Sequence, residues 1–261
     1  MLAPVLAYHR VSPGLDLGAS AVSPAAFEKQ MTTLARLGYR TISLASLFAS
    51  HQSTRGPAVV LTFDDADRSV YEYAFPILRE YGFTATLFVI TRFVGRANSW
   101  DHNLLGNKST HCTWSEIREM AEAGWEVGSH TVTHRALPSL TPAQLWFELA
   151  YSRVVLENTL GRPVTVLSYP FGKYDRRVIA AAKRAGYRAA CTLGYPSDAG
   201  DFCFTIPRKG VYAGEPPALF LAKLSGGPLA KADAFKQRVM SFCARGTSVF
   251  NSLRQFQKRL D

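Results

Sequence analysis

Hydrophobic and polar residues alternate along this chain in two rhythms. Compact apolar runs over 5–8, 59–63, 85–90, 125–128, 164–168 and 189–192 read as strands buried on both faces. Between them apolar residues recur every three or four positions, as in Phe27, Met31 and Leu34, or Ala74, Ile77 and Leu78. That is the period of a helix with one face on a core. The boundaries are marked. Ser23-Pro24 opens a helix that Gly38 ends, Gly82 stops a helix over 70–81, and Thr113-Trp114-Ser115-Glu116 is a capping box for a helix reaching Ala123. Thr141-Pro142 opens a long helix to Leu160 and Gly161, and Asp175 opens another to Ala185 and Gly186. A short strand at 41–44 and another near 205–206 complete the set. Repetition of strand, loop and helix, with no internal sequence repeat, predicts an α/β fold, either a β/α barrel or a similar parallel sheet.

In such folds the residues that follow the strands line the functional end. The run at 59–63 stops abruptly at Asp64-Asp65, with Asp67 close behind. Adjacent carboxylates at a strand end can divide labour, one binding a metal and one handling a proton; an Asp there equally suits a helix N-cap, the reading preferred for Asp67 and Asp175. His9 ends the first strand, a position open to a structural or a functional histidine. His130 and His134 follow the strand at 125–128 and lie four apart, a spacing that brings two imidazoles to one helix face or together in a tight loop. Two histidines plus a carboxylate, with a position left open, form the ligand set of catalytic zinc sites. The residue after His130 is Thr131, whereas HExxH proteases carry their general base there. The spare carboxylate of the Asp pair can fill that role, which points to metal-assisted hydrolysis of an amide or ester.

Composition narrows the setting. A chain of 261 residues that is 47% hydrophobic suffices for one large α/β domain with a short tail. No apolar run approaches the roughly 20 residues of a membrane span. The opening residues lack a basic start and an apolar stretch of signal-peptide type, so the expectation is a cytoplasmic chain. Cys112, Cys191, Cys203 and Cys243 are widely spaced and fit reduced structural thiols. The formal charge of +10 points to an anionic partner. It concentrates in one segment: 234–260 has no acidic residue, while Phe235, Val239, Phe242, Val249, Leu253, Phe256 and Leu260 recur at helical spacing among Lys and Arg. A basic amphipathic helix suits an anionic membrane surface on the inner face, and suits equally a solvated helix laid on the barrel. Nucleic acid is not the expected partner, and oligomeric state is not legible.

Thr62-Phe63-Asp64-Asp65 and His130-Thr131-Val132-Thr133-His134 together resemble the first two motifs of the polysaccharide deacetylases, the NodB-homology group of carbohydrate esterase family 4. Thr113-Trp114 through Gly124 and Glu126-Val127-Gly128-Ser129 agree with the flanks. Ser168-Tyr169-Pro170-Phe171-Gly172 is similar to the third motif, and Pro207-Arg208-Lys209-Gly210-Val211 to a late strand-end motif. The resemblance spans about 4–225, leaving the basic helical tail, 229–261, outside it, and implies a distorted (β/α)7 barrel with its domain taken as 1–228. It also implies removal of acetyl groups from a sugar with a divalent metal, zinc first, with cobalt, nickel or manganese as alternatives. Carried over by position, Asp64 is the base, Asp65, His130 and His134 hold the metal, and the backbone N–H of Phe171 serves the oxyanion. Tyr169, Pro170, Phe171 and Trp100 are the candidates to face the sugar. His102 and His111 read as loop residues.

Three positions depart from the family pattern. Ala66 stands where glycine is usual. Ser168 stands where an arginine orients the base, which leaves Arg208 to approach that base from another strand. No histidine follows His134, so the late acid histidine is missing. Tyr8-His9-Arg10-Val11 resembles the opening stretch of a circularly rearranged branch, which includes deacetylases of poly-N-acetylglucosamine, and there the acid histidine comes first. An amine leaves poorly unless protonated, so retention of an acid at His9 favours N- over O-deacetylation. Deacylation of a lipid-linked sugar at the membrane face and a non-catalytic sugar-binding role are the alternatives.

Overall fold

The computed structural model describes residues 2–13, 21–48, 56–97, 109–194 and 201–225. Trp100, His102 and the C-terminal segment from 226, with its basic amphipathic pattern, lie outside the described residues. Seven parallel strands make the barrel: β1 (Val5–Tyr8), β2 (Ala58–Phe63), β3 (Thr86–Val89), β4 (Glu126–Ser129), β5 (Val166–Ser168), β6 (Ala189–Leu193) and β7 (Ile206–Gly210). They are hydrogen-bonded in sequence order from β2 to β7, and β1 closes the ring by pairing with both β7 and β2. Leu6 is in register with Leu61 on one side and with Lys209 on the other. A two-residue strand, Arg40–Thr41, adds to the outside of β2.

The period of two along each strand decides what enters the barrel. On β2, Val59, Leu61 and Phe63 join the large cluster beneath the helices, while Val60 belongs to a second cluster with Val5, Phe88, Val166, Ala189, Cys191 and Ile206. This second cluster fills the barrel interior, and Leu44, just before the turn Ala45–Phe48, and Leu47 within it join the cluster. Glu126 at the start of β4 ties that turn down by accepting the N–H groups of Leu44 (2.8 Å) and Ala45 (3.1 Å). Continuing the alternation past Val60 brings Thr62 and then Asp64 to the inner face. The rhythm that builds the core therefore also delivers the carboxylate. Gly128 on β4 is dictated by packing, since a Cβ there would lie 2.5 Å from the Phe88 ring.

Helix expectations hold closely. Pro24–Arg36 is capped by Ser23, Trp114–Glu122 carries the Thr113/Glu116 capping box, and Arg176–Arg184 is capped by Asp175. Two helices depart from the regular pattern. The helix after β2 begins with a π turn, Val70–Ala74, and the long helix over 142–160 contains another, Phe147–Tyr151. A π turn inserts an extra residue per turn and is often found beside functional sites. The segment near 205–206 proves longer than expected: β7 runs on through Pro207 and Arg208, so Arg208 lies inside the strand rather than after it. The helix Pro217–Ser225 adds to the elements that the apolar pattern predicts.

Candidate metal and acid–base site

The C-terminal mouth of the barrel gathers residues from β1, β2, β4, β5 and β7. Asp64 continues the inner face of β2 and is buried. Arg208, 1% exposed, reaches it from the opposite end of the chain with a two-pronged contact: Nη1 donates to Oδ1 and Nη2 to Oδ2, both at 2.7 Å. The guanidinium also donates to Thr62 Oγ1 (3.1 Å), Ser168 Oγ (2.8 Å) and the Thr192 carbonyl (3.2 Å). Ser168 thus accepts from an arginine where the family pattern would have one. Burial alone would raise the Asp64 pKa. The Arg208 charge and hydrogen bonds, with His130 and His9 adding to them when protonated, outweigh it and hold the carboxyl well below the usual carboxylate range. Asp64 is kept ionised while shielded from water.

His9 follows β1, half-buried, with Nε2 4.0 Å from Asp64 Oδ2. On the other side lies a three-residue cluster. Asp65, His130 and His134 each offer one ligand atom, all within 4.8 Å of one another. His130 Nε2 is 3.5 Å and His134 Nε2 3.7 Å from Asp65 Oδ1. The donor set suits a divalent cation. A carbonyl oxygen can only accept, so the 2.8 Å contact from His130 Nδ1 to the Ser168 carbonyl fixes the proton on Nδ1 and leaves the Nε2 lone pair facing Asp65. Burial is the main cause that lowers the His130 pKa to about 4, and burial and then His130 push His134 below the ordinary histidine range. Burial thus favours the neutral form of both imidazoles, the form in which imidazole can bind a metal.

The backbone around these residues is unusual. Among the described residues, five non-glycine residues have positive φ: Asp65 (69°), Ala66 (53°), Thr131 (70°), His134 (58°) and Phe171 (58°). All sit in the loops that follow β2, β4 and β5. Left-handed backbone costs an L-residue about 1 kcal/mol or more. It explains why glycine is usual at the Ala66 position. Phe171 brings its ring 4.6 Å from that of His134.

Some sequence assignments need correction. The Tyr169 ring is 1% exposed and stacked on Tyr174 at 5.3 Å, and Pro170 is also buried. Neither presents a surface on which a sugar could lie, because the third-motif turn folds them inward; Phe171, half-buried, is the member of that group that reaches the mouth. His111, read as a loop residue, is buried and donates from Nδ1 to the Asp65 carbonyl at 2.7 Å, with its ring stacked on Phe93. Asp67 caps locally by accepting from Ser69 N–H at 3.0 Å and lies 3.4 Å from Arg10 Nε. Glu148 is absent from the sequence candidates, yet it is buried against the loop between the two histidines. No sequence spacing points to it, because it acts on backbone amides.

Residues 51–190 match the family described as polysaccharide deacetylase. The chain belongs to that family. Among curated relatives, a putative polysaccharide deacetylase of Bacillus subtilis is 32% identical over 72% of this chain and 63% of its own length, so the match leaves more than a third of that protein uncovered. A poly-β-1,6-N-acetyl-D-glucosamine N-deacetylase of Staphylococcus aureus is 26% identical, over 72% of this chain and 71% of its own length. Among solved structures, IcaB from Ammonifex degensii superposes with a TM-score of 0.68 at 26% identity, covering 90% of this chain and 97% of that one. A Streptococcus pyogenes deacetylase solved with acetate gives 0.73 at 23% identity over 86% and 99%, which speaks to the fold. The polysaccharide deacetylase barrel is thus present here with β1 carrying His9 between β2 and β7.

Proposed function

We infer that this protein is a metal-dependent hydrolase that removes N-acetyl groups from an N-acetylhexosamine-containing poly- or oligosaccharide and releases acetate. One observation carries the reading: a buried, ionised Asp64 held between Arg208 and His9, directly beside the Asp65–His130–His134 cluster. The name of the Staphylococcus relative supports the substrate class. We place the catalytic unit at 1–228.

Asp65, His130 and His134 would hold the divalent cation, zinc or a similar ion. When bound, it supplies Lewis acidity that polarises the acetamide carbonyl and eases deprotonation of water. The remaining work falls to protein groups. Asp64 accepts the proton of the attacking water, a role suited to a carboxylate that Arg208 keeps ionised and oriented. The new C–O bond forms at the acetamide carbon, and the backbone N–H of Phe171 donates to the oxygen on which negative charge develops. His9 gives a proton to the amine nitrogen as the C–N bond breaks, so that an amine rather than an amide anion departs. Products are acetate and a free sugar amine. An acid positioned 4.0 Å from the base matters for an amide and far less for an ester, which favours N-deacetylation.

The test is acetate release from β-1,6-linked N-acetylglucosamine oligomers with zinc or cobalt supplied, repeated after chelation. Release that chelation abolishes and metal restores is expected. A folded protein that binds either cation yet frees no acetate from any N-acetylhexosamine oligomer would overturn the reading.

A further inference from the structure

We propose that Glu148 is a positioning residue for the metal cluster, acting as an outer anchor that holds the His130–His134 loop in its left-handed path. The inference rests on the reading of Asp65, His130 and His134 as a metal site. Glu148 lies on the long helix over 142–160, within the π turn Phe147–Tyr151. In that widened turn Glu148 and Leu149 are both buried, while Phe147 and Tyr151 stay exposed.

Both carboxylate oxygens are spent on the loop. Oε2 accepts the N–H groups of Val132 and Thr133, each at 2.8 Å, and Oε1 accepts the Thr133 hydroxyl. These are residues between the two histidines, and they span the stretch from Thr131 (φ 70°) to His134 (φ 58°). A loop with two left-handed non-glycine residues does not hold that shape unaided. Charge-assisted bonds from a buried carboxylate are strong enough to hold it. The anchor is itself fixed: Ser152 Oγ donates to the Glu148 carbonyl at 2.7 Å and lies 2.8 Å from Ser129 Oγ, which accepts the Thr131 N–H at 3.1 Å. Tyr187 Oη donates to the Leu149 carbonyl at 2.9 Å from the next layer out. The chain of contacts runs from helix to carboxylate to loop to imidazole, and Glu148 acts on the loop backbone rather than on either imidazole.

The experiment is a cobalt(II) titration of the full chain, following the visible absorption bands, with thermal unfolding of the metal-free protein in parallel. Glu148→Leu removes all three bonds. It should weaken cobalt affinity by about tenfold and alter the band shape, because the loop that carries both histidines loses its hold; that is the low end of outer-contact effects at metal sites. Glu148→Gln can keep the bonds, since its oxygen can accept both amides and its NH₂ can donate to the Thr133 hydroxyl; affinity within threefold of the parent is expected. A folded leucine variant with parental affinity and bands would overturn the proposal, as would a glutamine variant no better than leucine. Should the leucine variant fail to fold, Thr133→Val decides, because it deletes the hydroxyl bond alone: a few-fold loss supports the anchor and an unchanged affinity overturns it. If the parent chain itself binds no cobalt, the metal-site reading has failed rather than the anchor.

Discussion

The two rims of the barrel solve the same backbone problem in different ways. At the N-terminal rim, connections from a helix back to a strand pass through left-handed glycines: Gly38, Gly82, Gly124, Gly161 and Gly186. At the C-terminal rim the left-handed positions include Asp65, Ala66, Thr131, His134 and Phe171. Glycine takes that conformation without steric penalty, whereas a residue with a Cβ carries about 1 kcal/mol. The N-terminal turns need only the geometry. The C-terminal turns need the geometry and the side chain together, so the strain is borne there, and contacts such as the Glu148 bonds to Val132 and Thr133 and the His111 bond to the Asp65 carbonyl offset it.

That contrast can be broken experimentally. The largest effect should come from Asp64→Asn, which removes the proposed base: turnover is expected to fall at least a thousandfold while cobalt still binds, measured by acetate release and by metal titration. Near-normal turnover would remove Asp64 from the chemistry. Next is Arg208→Met. Losing the partner of a buried charge costs roughly 3–5 kcal/mol in denaturant unfolding. The sign with pH is set by Asp64: its folded pKa lies below the unfolded value, so the contribution is present above the unfolded pKa and lost as pH falls through the folded one. Without Arg208 burial prevails and the Asp64 pKa rises, so the acid limb of kcat/KM should move to higher pH. An unmoved limb would mean that the pair does not set the charge of the base.

His9→Ala should be smaller and selective. Hydrolysis of the acetamide should fall about a hundredfold, while an activated acetate ester, whose leaving group needs no proton, loses far less. Equal losses would leave His9 a structural residue. The smallest effect sharpens the comparison from the other rim. A Cβ at Gly82 meets nothing within 4 Å, so Gly82→Ala isolates the φ of 64°. It should cost about 1 kcal/mol in denaturant unfolding and leave turnover unchanged.

Much of this architecture is legible because its causes are local. Buried strands announce themselves by apolar runs, and helices by Ser23, Thr113, Thr141 and Asp175 at their starts and glycine at their ends. Asp64, Asp65, His130 and His134 stand out because charged or metal-binding side chains follow apolar runs. What stays hidden is of three kinds. Glu148 and His111 act through backbone atoms of distant loops, and such contacts leave no spacing in sequence. The inward turn of Tyr169 is set by its neighbour Tyr174 and by the fold of the third-motif loop, so an aromatic near the mouth looks like a sugar platform. Arg208 is recognisable, but a proline beside it hides that β7 continues, placing the guanidinium inside the barrel rather than on its lip.

The Arg208–Asp64 contact joins residues separated by 144 positions, across the seam where β1 meets both its neighbours. Arg208 is synthesised after His9 and Asp64, and the guanidinium that keeps Asp64 charged in a dry interior arrives only with β7, the last strand of the barrel. A chain lacking β7 would have neither the β1–β7 pairing nor the guanidinium beside Asp64, so closing the ring and pairing Asp64 depend on the same strand. Under the proposed function, acetate release would report a closed barrel, because the guanidinium that holds Asp64 ionised belongs to the strand that completes the ring.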